Sequence, residues 1–390
     1  MKKRLLEFLV CPIDRTTLEL IVWETKHIPV SEKDKLRIQR SGLDETLFTE
    51  EVMTGLLINR DRKIFYPVYK GVPRMTVFPT GAAERFAKQY ENHIQKDFPH
   101  YHLPNQKGMP GEEDVLRTFS NEWVDYDWDG NSYWNLTPAE MFKCMEFMLD
   151  IQSKFLKDKL VLEAGIGIGG IADHISKCTE CELIGVDLSY AVDAAYANFG
   201  SNRFFHIVQA SIFALPFQER SFDYVYSQGV IHHTFSTKTA FDSLSKFPKE
   251  GSRLFTWVYS PYDEERNALR RILMLLENII RPICWRLPSH AQTIILLPII
   301  IAYIIYQNFF SCHEGPNRIK YRWRHALHAA RDRFTPRYIH RHDNDEVCTW
   351  FRQAGYQNLT CSSERECPSF VPVPFVACTG VEGVKGGNQN

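Results

Sequence analysis

Leu160-Val161-Leu162-Glu163-Ala164-Gly165-Ile166-Gly167-Ile168-Gly169-Gly170 constrains this chain more than any other stretch: a short apolar run, one carboxylate, then four glycines within six residues. It reads as a buried strand, a tight turn and the start of a helix over Ile171–Cys178. Only residues without Cβ take the dihedrals such a turn needs and let backbone N–H groups approach a ligand. The spacing fits G-x-G-x-x-G (Gly165, Gly167, Gly170) and E-x-G-x-G-x-G (Glu163, Gly165, Gly167, Gly169) alike. Glu163 discriminates between them, since a carboxylate at the strand end can hold a cationic amino group but does nothing useful beside a pyrophosphate.

Further landmarks follow in order. The strand Glu182–Val186 ends in Asp187, placed to accept both hydroxyls of a ribose. Then come Ile207–Ile212 with Ser211, Leu215-Pro216-Phe217, and Ser221–Ser227 running into Gln228-Gly229-Val230-Ile231-His232-His233-Thr234. Strand and helix signals alternate, the mark of a parallel sheet with helices on both faces, whose ligands bind beyond the carboxyl ends of the strands.

Over roughly residues 155–260 this succession resembles the class I S-adenosylmethionine-dependent methyltransferases, closest in style to those of small-molecule and quinone biosynthesis. The resemblance implies an α/β, Rossmann-like seven-stranded sheet and S-adenosyl-L-methionine as cofactor. It implies cofactor binding by Glu163, Gly165, Gly167, Gly169, Asp187, Leu188, Ser211, Ile212 and Gln228, with Gly165 and Gly167 near the methionine part and Ser211 and Ile212 flanking adenine. Position 211 departs from the pattern, in which an Asp commonly accepts from the adenine amino group. Phe119 and Trp123 resemble the stretch that folds over the cofactor in such enzymes, and aromatic faces suit a sulfonium. His232 and His233, directly after the fourth strand, are candidates for a catalytic base, because histidine near its ordinary pKa takes a proton at pH 7. They serve equally as residues that shape the pocket.

The rest of the chain divides around this core. Residues 1–78 read as a small β-rich domain similar to the zinc-binding activator domains that accompany tRNA and protein methyltransferases. Those carry paired cysteines. Cys11 stands alone here, with Asn59 and Asp61 where a later pair would fall, so a metal-free descendant is expected. It either packs against the catalytic unit or docks a partner. Residues 79–154 form an aromatic helical cover, 155–261 the cofactor-binding core, 262–341 a helical lid insertion, 342–380 the helix and strands that complete the core, and 381–390 a disordered tail. Edge strands are expected at 358–363 and 369–379.

The insertion carries 13 Lys or Arg against 6 Asp or Glu, and its Arg318, Arg322, Arg324, His325, His328, Arg331 and Arg333 suit an acidic substrate or a solvated face. Its apolar run 294–306 contains Pro298 and is shorter than the ~20 residues a membrane span needs. A buried or substrate-covering helix is the first reading, peripheral contact with a membrane or lipid-linked substrate the second, and a span the last. A net charge of −1 argues against general coating of nucleic acid. Ten cysteines without a framework pattern and no signal peptide at the N-terminus point to a reducing cytoplasm, and Cys178-Thr179-Glu180-Cys181 reads as loop thiols.

The function expected is methyl transfer to a small or lipid-linked metabolite. Methylation of tRNA or protein is the alternative, weakened because Ser227-Gln228-Gly229-Val230 replaces the Asn/Asp-Pro-Pro-Tyr/Phe run that holds a planar nitrogen. A methyltransferase-fold binding protein without turnover, and a hydride-transfer enzyme, complete the set.

Overall fold

In the computed structural model, residues 1–124, 138–149, 153–261, 268–310, 322–362 and 378–387 are described. The aromatics Tyr126, Trp128, Tyr133 and Trp134, together with Arg318, lie outside them.

The first sheet is antiparallel, in the order β1 (Glu19–His27), β2 (Glu50–Asn59), β3 (Ile64–Tyr69), β4 (Val72–Pro73), with α1 (Glu32–Arg40) and the single turn α2 (Thr46–Thr49) between β1 and β2. Four helical segments follow: α3 (Gly81–Gln89), α4 (Glu91–Asp97), α5 (Glu112–Val124) and α6 (Pro138–Leu149), then a single turn α7 (Ser153–Leu156). The core sheet begins with β5 (Leu160–Ala164), α8 (Gly170–Thr179), β6 (Glu182–Asp187), α9 (Ala191–Phe199) and β7 (Phe205–Gln209). It continues through β8 (Phe222–Gln228), α10 (Thr237–Leu244) and β9 (Pro248–Val258). The insertion supplies α11 (Ala268–Cys284), α12 (Ser289–Ile305) and α13 (Trp323–Phe334), and the chain closes with α14 (Asn344–Gln353), β10 (Tyr356–Cys361) and β11 (Thr379–Lys385).

Seven strands lie in the order β10-β11-β9-β8-β5-β6-β7, parallel from β9 to β7 and antiparallel at β11 and β10. The chain leaves β5 toward β6 on one side and returns to β8 on the other. That reversal opens a crevice at the carboxyl ends, where this kind of sheet binds ligands. Strands β5 and β6 are nearly continuous apolar runs because helices cover both of their faces.

Three expectations are corrected. Residues 381–385 of the expected tail are strand: Thr379–Lys385 is β11, paired with β9 and β10, and Val381 is fully buried, while residues 388–390 lie outside the described residues. The glycines that suggested disorder instead allow close packing, since a Cβ on Gly380 would lie 2.6 Å from Ser362 Oγ. Residues 363–377, where part of the other edge strand was expected, lie outside the described residues. Pro298 does not interrupt α12, which runs from Ser289 to Ile305 and into a π-helical turn, Tyr306–Phe310. The thiols of the C-x-x-C differ from each other: Cys178 is exposed and Cys181 fully buried.

The N-terminal sheet has its own strands but shares its core with the other. Leu5, Leu9, Cys11, Val52, Leu57, Tyr66 and Met75 pack in one apolar cluster with Val208 of β7 and with Leu215 and Phe217 of the segment between β7 and β8. Backbone bonds cross the same seam, Met75 N–H to Gln209 O at 2.7 Å and Val10 N–H to Pro216 O at 2.9 Å. Arg74 bridges Gln209 in the parallel sense, so the chain after β4 covers the open edge of β7. Covering an edge strand removes a row of unpaired backbone groups that would otherwise template aggregation.

Where the paired cysteines of an activator domain would be expected, Cys11 Sγ lies 3.4 Å from Tyr66 Oη. Beside it the Asp14 carboxylate accepts from Thr16 Oγ1 at 2.7 Å, from Asn59 Nδ2 at 3.2 Å and from Arg62 Nε. A hydrogen-bonded ion pair thus joins the two ends of the knuckle. Among the described residues no three His, Cys, Asp or Glu side chains are grouped to hold a metal ion.

Candidate active site

The glycine loop takes the conformation its spacing predicts. Gly165, Gly167 and Gly169 have φ of +92°, +52° and +78°. A Cβ on Gly165 would come within 2.2 Å of Val230, so no other residue fits there. Gly167 lies under Trp123, whose ring would be 3.1 Å from a Cβ at that position. Trp123 on α5 therefore roofs the loop, and Gly169 caps α8.

Glu163 is buried beside the loop and accepts one hydrogen bond, from Tyr226 Oη at 2.6 Å. Burial pushes its carboxyl up to about 8. Asp187, at the end of β6, accepts from Gly167 N–H at 2.9 Å and from the Ser189 amide and hydroxyl at 2.8 and 2.7 Å. Burial raises its pKa as well, although these donors oppose the shift. Leu188 presents its carbonyl to Gln209 Nε2 at 2.9 Å. Gln228 is half-buried at the end of β8, and Ile212 opens a single 3₁₀ turn with its side chain half-buried. The structure brings Glu163, the three glycines, Asp187 and Trp123 around one space.

Ser211 has a partner that sequence reasoning missed. Its hydroxyl donates to Glu112 Oε1 and accepts from Phe213 N–H at 3.0 Å, while Glu112 Oε2 accepts from Met109 N–H at 2.6 Å. A carboxylate thus stands next to position 211 after all, delivered by α5 and buried. Glu112, Phe119 and Trp123 are spaced by seven and four residues, which is one helical face. That spacing was the available signal.

The histidine expectation is corrected. His232 and His233 sit in a 3₁₀ turn, completely buried beneath the insertion. Burial pushes His233 down to about 3 and His232 well below its ordinary value, so neither titrates near neutrality. His233 Nδ1 lies 3.1 Å from Tyr338 O. A carbonyl only accepts, so Nδ1 carries the proton and Nε2 keeps its lone pair, 3.8 Å from Asp332 Oδ1. Asp332, from α13, is pushed up to about 6 by burial and accepts from Tyr259 Oη at 2.9 Å. The Tyr259 ring lies 4.0 Å from that of His232. Tyr259 and Asp332 come from the end of β9 and from the insertion, far apart in the chain, and no local spacing announces them. Glu122 meets His328 Nδ1 at 3.2 Å. Burial drives the Glu122 carboxyl up and the His328 imidazole down to about 3.

Among the described residues, four arginines of the insertion are spent internally rather than on an acid-binding or solvated face. Arg281, Arg333 and Arg341 converge on the buried Glu277, and Arg331 donates to Asn121 O at 2.7 Å and to Ser289 Oγ at 2.6 Å. His325 and His328 are buried. Arg324 is half-buried and Arg322 exposed.

Residues 162–256 match the family described as methyltransferase domain, and residues 2–71 match the family described as Trm112p-like protein. The chain carries a methyltransferase domain behind a Trm112p-like domain. Sterol 24-C-methyltransferase of Saccharomyces cerevisiae is 22% identical over 211 residues, 50% of this chain and 54% of that protein. Phosphoethanolamine N-methyltransferase 2 of Caenorhabditis elegans is 27% identical over 122 residues, 30% of this chain and 28% of that one. This chain spans about half the length of the sterol relative and less of the other. Among solved structures, a chain from a complex containing the Haloferax volcanii Trm112 methyltransferase activator aligns at 12% identity and a TM-score of 0.37, covering 64% of this chain and 94% of that one.

S-adenosyl-L-methionine is the cofactor that the sequence resemblance implies for this domain. Its residues fit that molecule: a buried carboxyl with one donor suits an ammonium, and a glycine cradle lies beside it. Asp187, at a strand end, suits a diol.

Proposed function

We propose that this chain is an S-adenosylmethionine-dependent methyltransferase acting on a small, apolar or lipid-linked acceptor. The observation that carries the reading is the convergence of Glu163, Gly165, Gly167, Asp187 and Trp123 at the carboxyl ends of β5 and β6. Bound there, the cofactor supplies a methyl group already activated by a sulfonium. The chain's work is to hold that group in line with an acceptor and to exclude water. Glu163 pairs with the amino group and Asp187 takes the ribose hydroxyls. Leu188, Ile212 and Gln228 line the same edge. Glu112, beside Ser211, accepts from the adenine amino group in place of the missing Asp. Tyr259, Asp332 and His233 form the polar group that shapes the acceptor side, and within it Asp332, not the histidine, receives or passes a proton.

An apolar acceptor is favoured by the insertion, whose α11 and α12 leave Leu275, Ile279, Ile294 and Ile301 exposed next to the α13 roof. The sterol methyltransferase relative points the same way. Titration calorimetry with S-adenosylmethionine, followed by transfer of labelled methyl to sterol, phosphoethanolamine and tRNA in parallel, tests the reading. Saturable binding with label entering the apolar acceptor supports it. Label entering tRNA, or no binding of the cofactor, overturns it.

The exposed apolar faces of α11 and α12 favour a second, compatible reading, docking on a membrane surface. The stretch Ser289–Phe309 is 21 residues long and apolar enough to cross a membrane by length and composition. Its burial of Leu296 and Ile300 against α13 favours lying on a bilayer over crossing it.

A further inference from the structure

The chain leaving the N-terminal sheet, just past the Trm112p-like residues 2–71, touches the cofactor turn through a chain of three hydrogen-bonding groups. Arg74 follows β4 and is one of the largest fully buried side chains. Its Nη1 donates to Gln209 Oε1 at 3.1 Å, and its guanidinium also pairs with Asp193 in the first turn of α9. Gln209, fully buried at the end of β7, donates its own Nε2 to Leu188 O at 2.9 Å. The neighbouring Ala210 N–H donates to Asp187 O at 3.1 Å.

We infer that Arg74 is a positioning residue for the cofactor: acting through Gln209, it fixes the turn that carries Asp187. The inference rests on the reading of Asp187 as the ribose ligand. A guanidinium can only donate, so it binds the amide oxygen of Gln209 and forces the NH₂ toward Leu188 O. Without Arg74 the amide can turn over and set its oxygen against the Leu188 carbonyl, which repels it. The turn is held from other sides too, by Ala82 N–H to Tyr190 Oη at 3.2 Å and by Tyr190 N–H to Ser120 Oγ at 3.0 Å. Leu188 O, one residue beyond Asp187, has Gln209 as its side-chain partner. Thus the chain leaving the N-terminal sheet reaches the candidate cofactor site through the side chain of Gln209, by way of the same strand edge that it covers.

The test uses the full chain and the dissociation constant for S-adenosylmethionine. Arg74→Lys keeps a cation for Asp193 but lacks the fork that also reaches Gln209. It is expected to raise the constant about tenfold, or ~1.4 kcal/mol. Asp193→Asn, which removes the ion pair and leaves the Gln209 contact, is expected to stay within about twofold on the same scale. Gln209→Met should reproduce the loss, and adding Arg74→Lys to it should change nothing more. A purely structural role would lower the melting temperature and leave the constant of the folded protein alone. A folded Arg74→Lys with unchanged affinity, or one whose effect adds to that of Gln209→Met, overturns the relay. If Arg74→Lys does not fold, Gln209→Met alone decides, and unchanged affinity there overturns it. Wild-type protein that binds no cofactor removes the functional reading instead, and binding that is insensitive to Asp187→Ala removes the ribose assignment.

Discussion

Strand β2 and helix α12 both read as near-continuous apolar runs, Gly55–Ile58 and Ile294–Ile301, yet they end in opposite environments. Leu56, Leu57 and Ile58 are essentially buried, because a strand offers two faces and β2 has a partner for each. Leu57 enters the core shared with β7, β8 and Leu215, while Leu56 and Ile58 pack on Phe86 of α3 and Ile94 of α4. Helix α12 has apolar residues all round but packs through one stripe, Leu296 and Ile300 against α13. Ile294 is left 71% exposed and Phe309, just beyond, 77%. An apolar run therefore reports that a segment needs a partner, and the number of faces sets how many it needs. The seam at β7 is a completed interface. The outer face of α12 is one still open.

The largest effect should come from cutting the completed interface. Removing residues 1–78 bares the cluster around Phe217 and the edge of β7. Against a total stability of about 5–15 kcal/mol, the remaining chain is expected not to fold. Circular dichroism and gel filtration would report it, and a monomeric, folded remainder would show that the two domains are independent after all. A milder break is Phe217→Ala, expected to cost ~3–5 kcal/mol in urea unfolding as a buried aromatic truncation. A loss below about 1 kcal/mol would mean the seam relaxes around the cavity.

At the site itself, Asp187→Ala is expected to weaken cofactor binding by ~1.5–3 kcal/mol, the scale of hydrogen bonds to a charged group. Calorimetry at constant pH reads it. Glu163 adds a pH signature. With its carboxyl pushed up to about 8, it holds a proton at neutrality in the free protein. Pairing with an ammonium requires that proton to leave. Affinity should therefore rise with pH toward about 8, by up to tenfold or ~1.4 kcal/mol per unit, and level off as the ligand's own α-amino group, near 7.7–8.0, begins to lose its charge. Proton release measured in buffers of different ionisation enthalpy checks this, and Glu163→Gln should remove the slope. A flat profile in the wild type would place the amino group elsewhere.

What could be read beforehand follows the same division. The loop, Asp187 and the alternation from β5 to β9 were legible because each is local: glycine spacing, a strand end, a period of two. Asp343 caps α14 by accepting from Glu346 N–H at 2.8 Å, another local signal that the sequence carries openly. Glu112 shares a helical face with Phe119 and Trp123, but its partner Ser211 was not legible, and neither were Tyr259 and Asp332, since Ser211, His232 and His233 lie tens of residues from them. The histidines misled for a physical reason: their chemistry depends on water, and the insertion that excludes it is remote in sequence. The final strand misled because Gly380 and Gly383 look like loop residues, whereas the absence of a side chain is what lets them pack against Ser362 and Leu359.

The smallest effect on folding should come from the open face. Ile279 and Ile294 are 64% and 71% exposed, so Ile279→Ser with Ile294→Ser removes little burial. Each is expected to change unfolding free energy by no more than about 0.5 kcal/mol, as for surface positions generally. Cofactor affinity should also hold, because the glycine loop and Asp187 belong to a different part of the sheet. What should fall is co-sedimentation with phospholipid vesicles, since a helix face lying on a bilayer is retained by buried apolar area, at about 0.8 kcal/mol per CH₂. The basic rim at Arg286 and Arg322 then predicts stronger binding to anionic than to neutral vesicles, weakened by salt. If the double variant still sediments like the wild type, the face is not a membrane contact. If it unfolds instead, α12 is packed more completely than its exposure indicates, and the contrast with β2 fails.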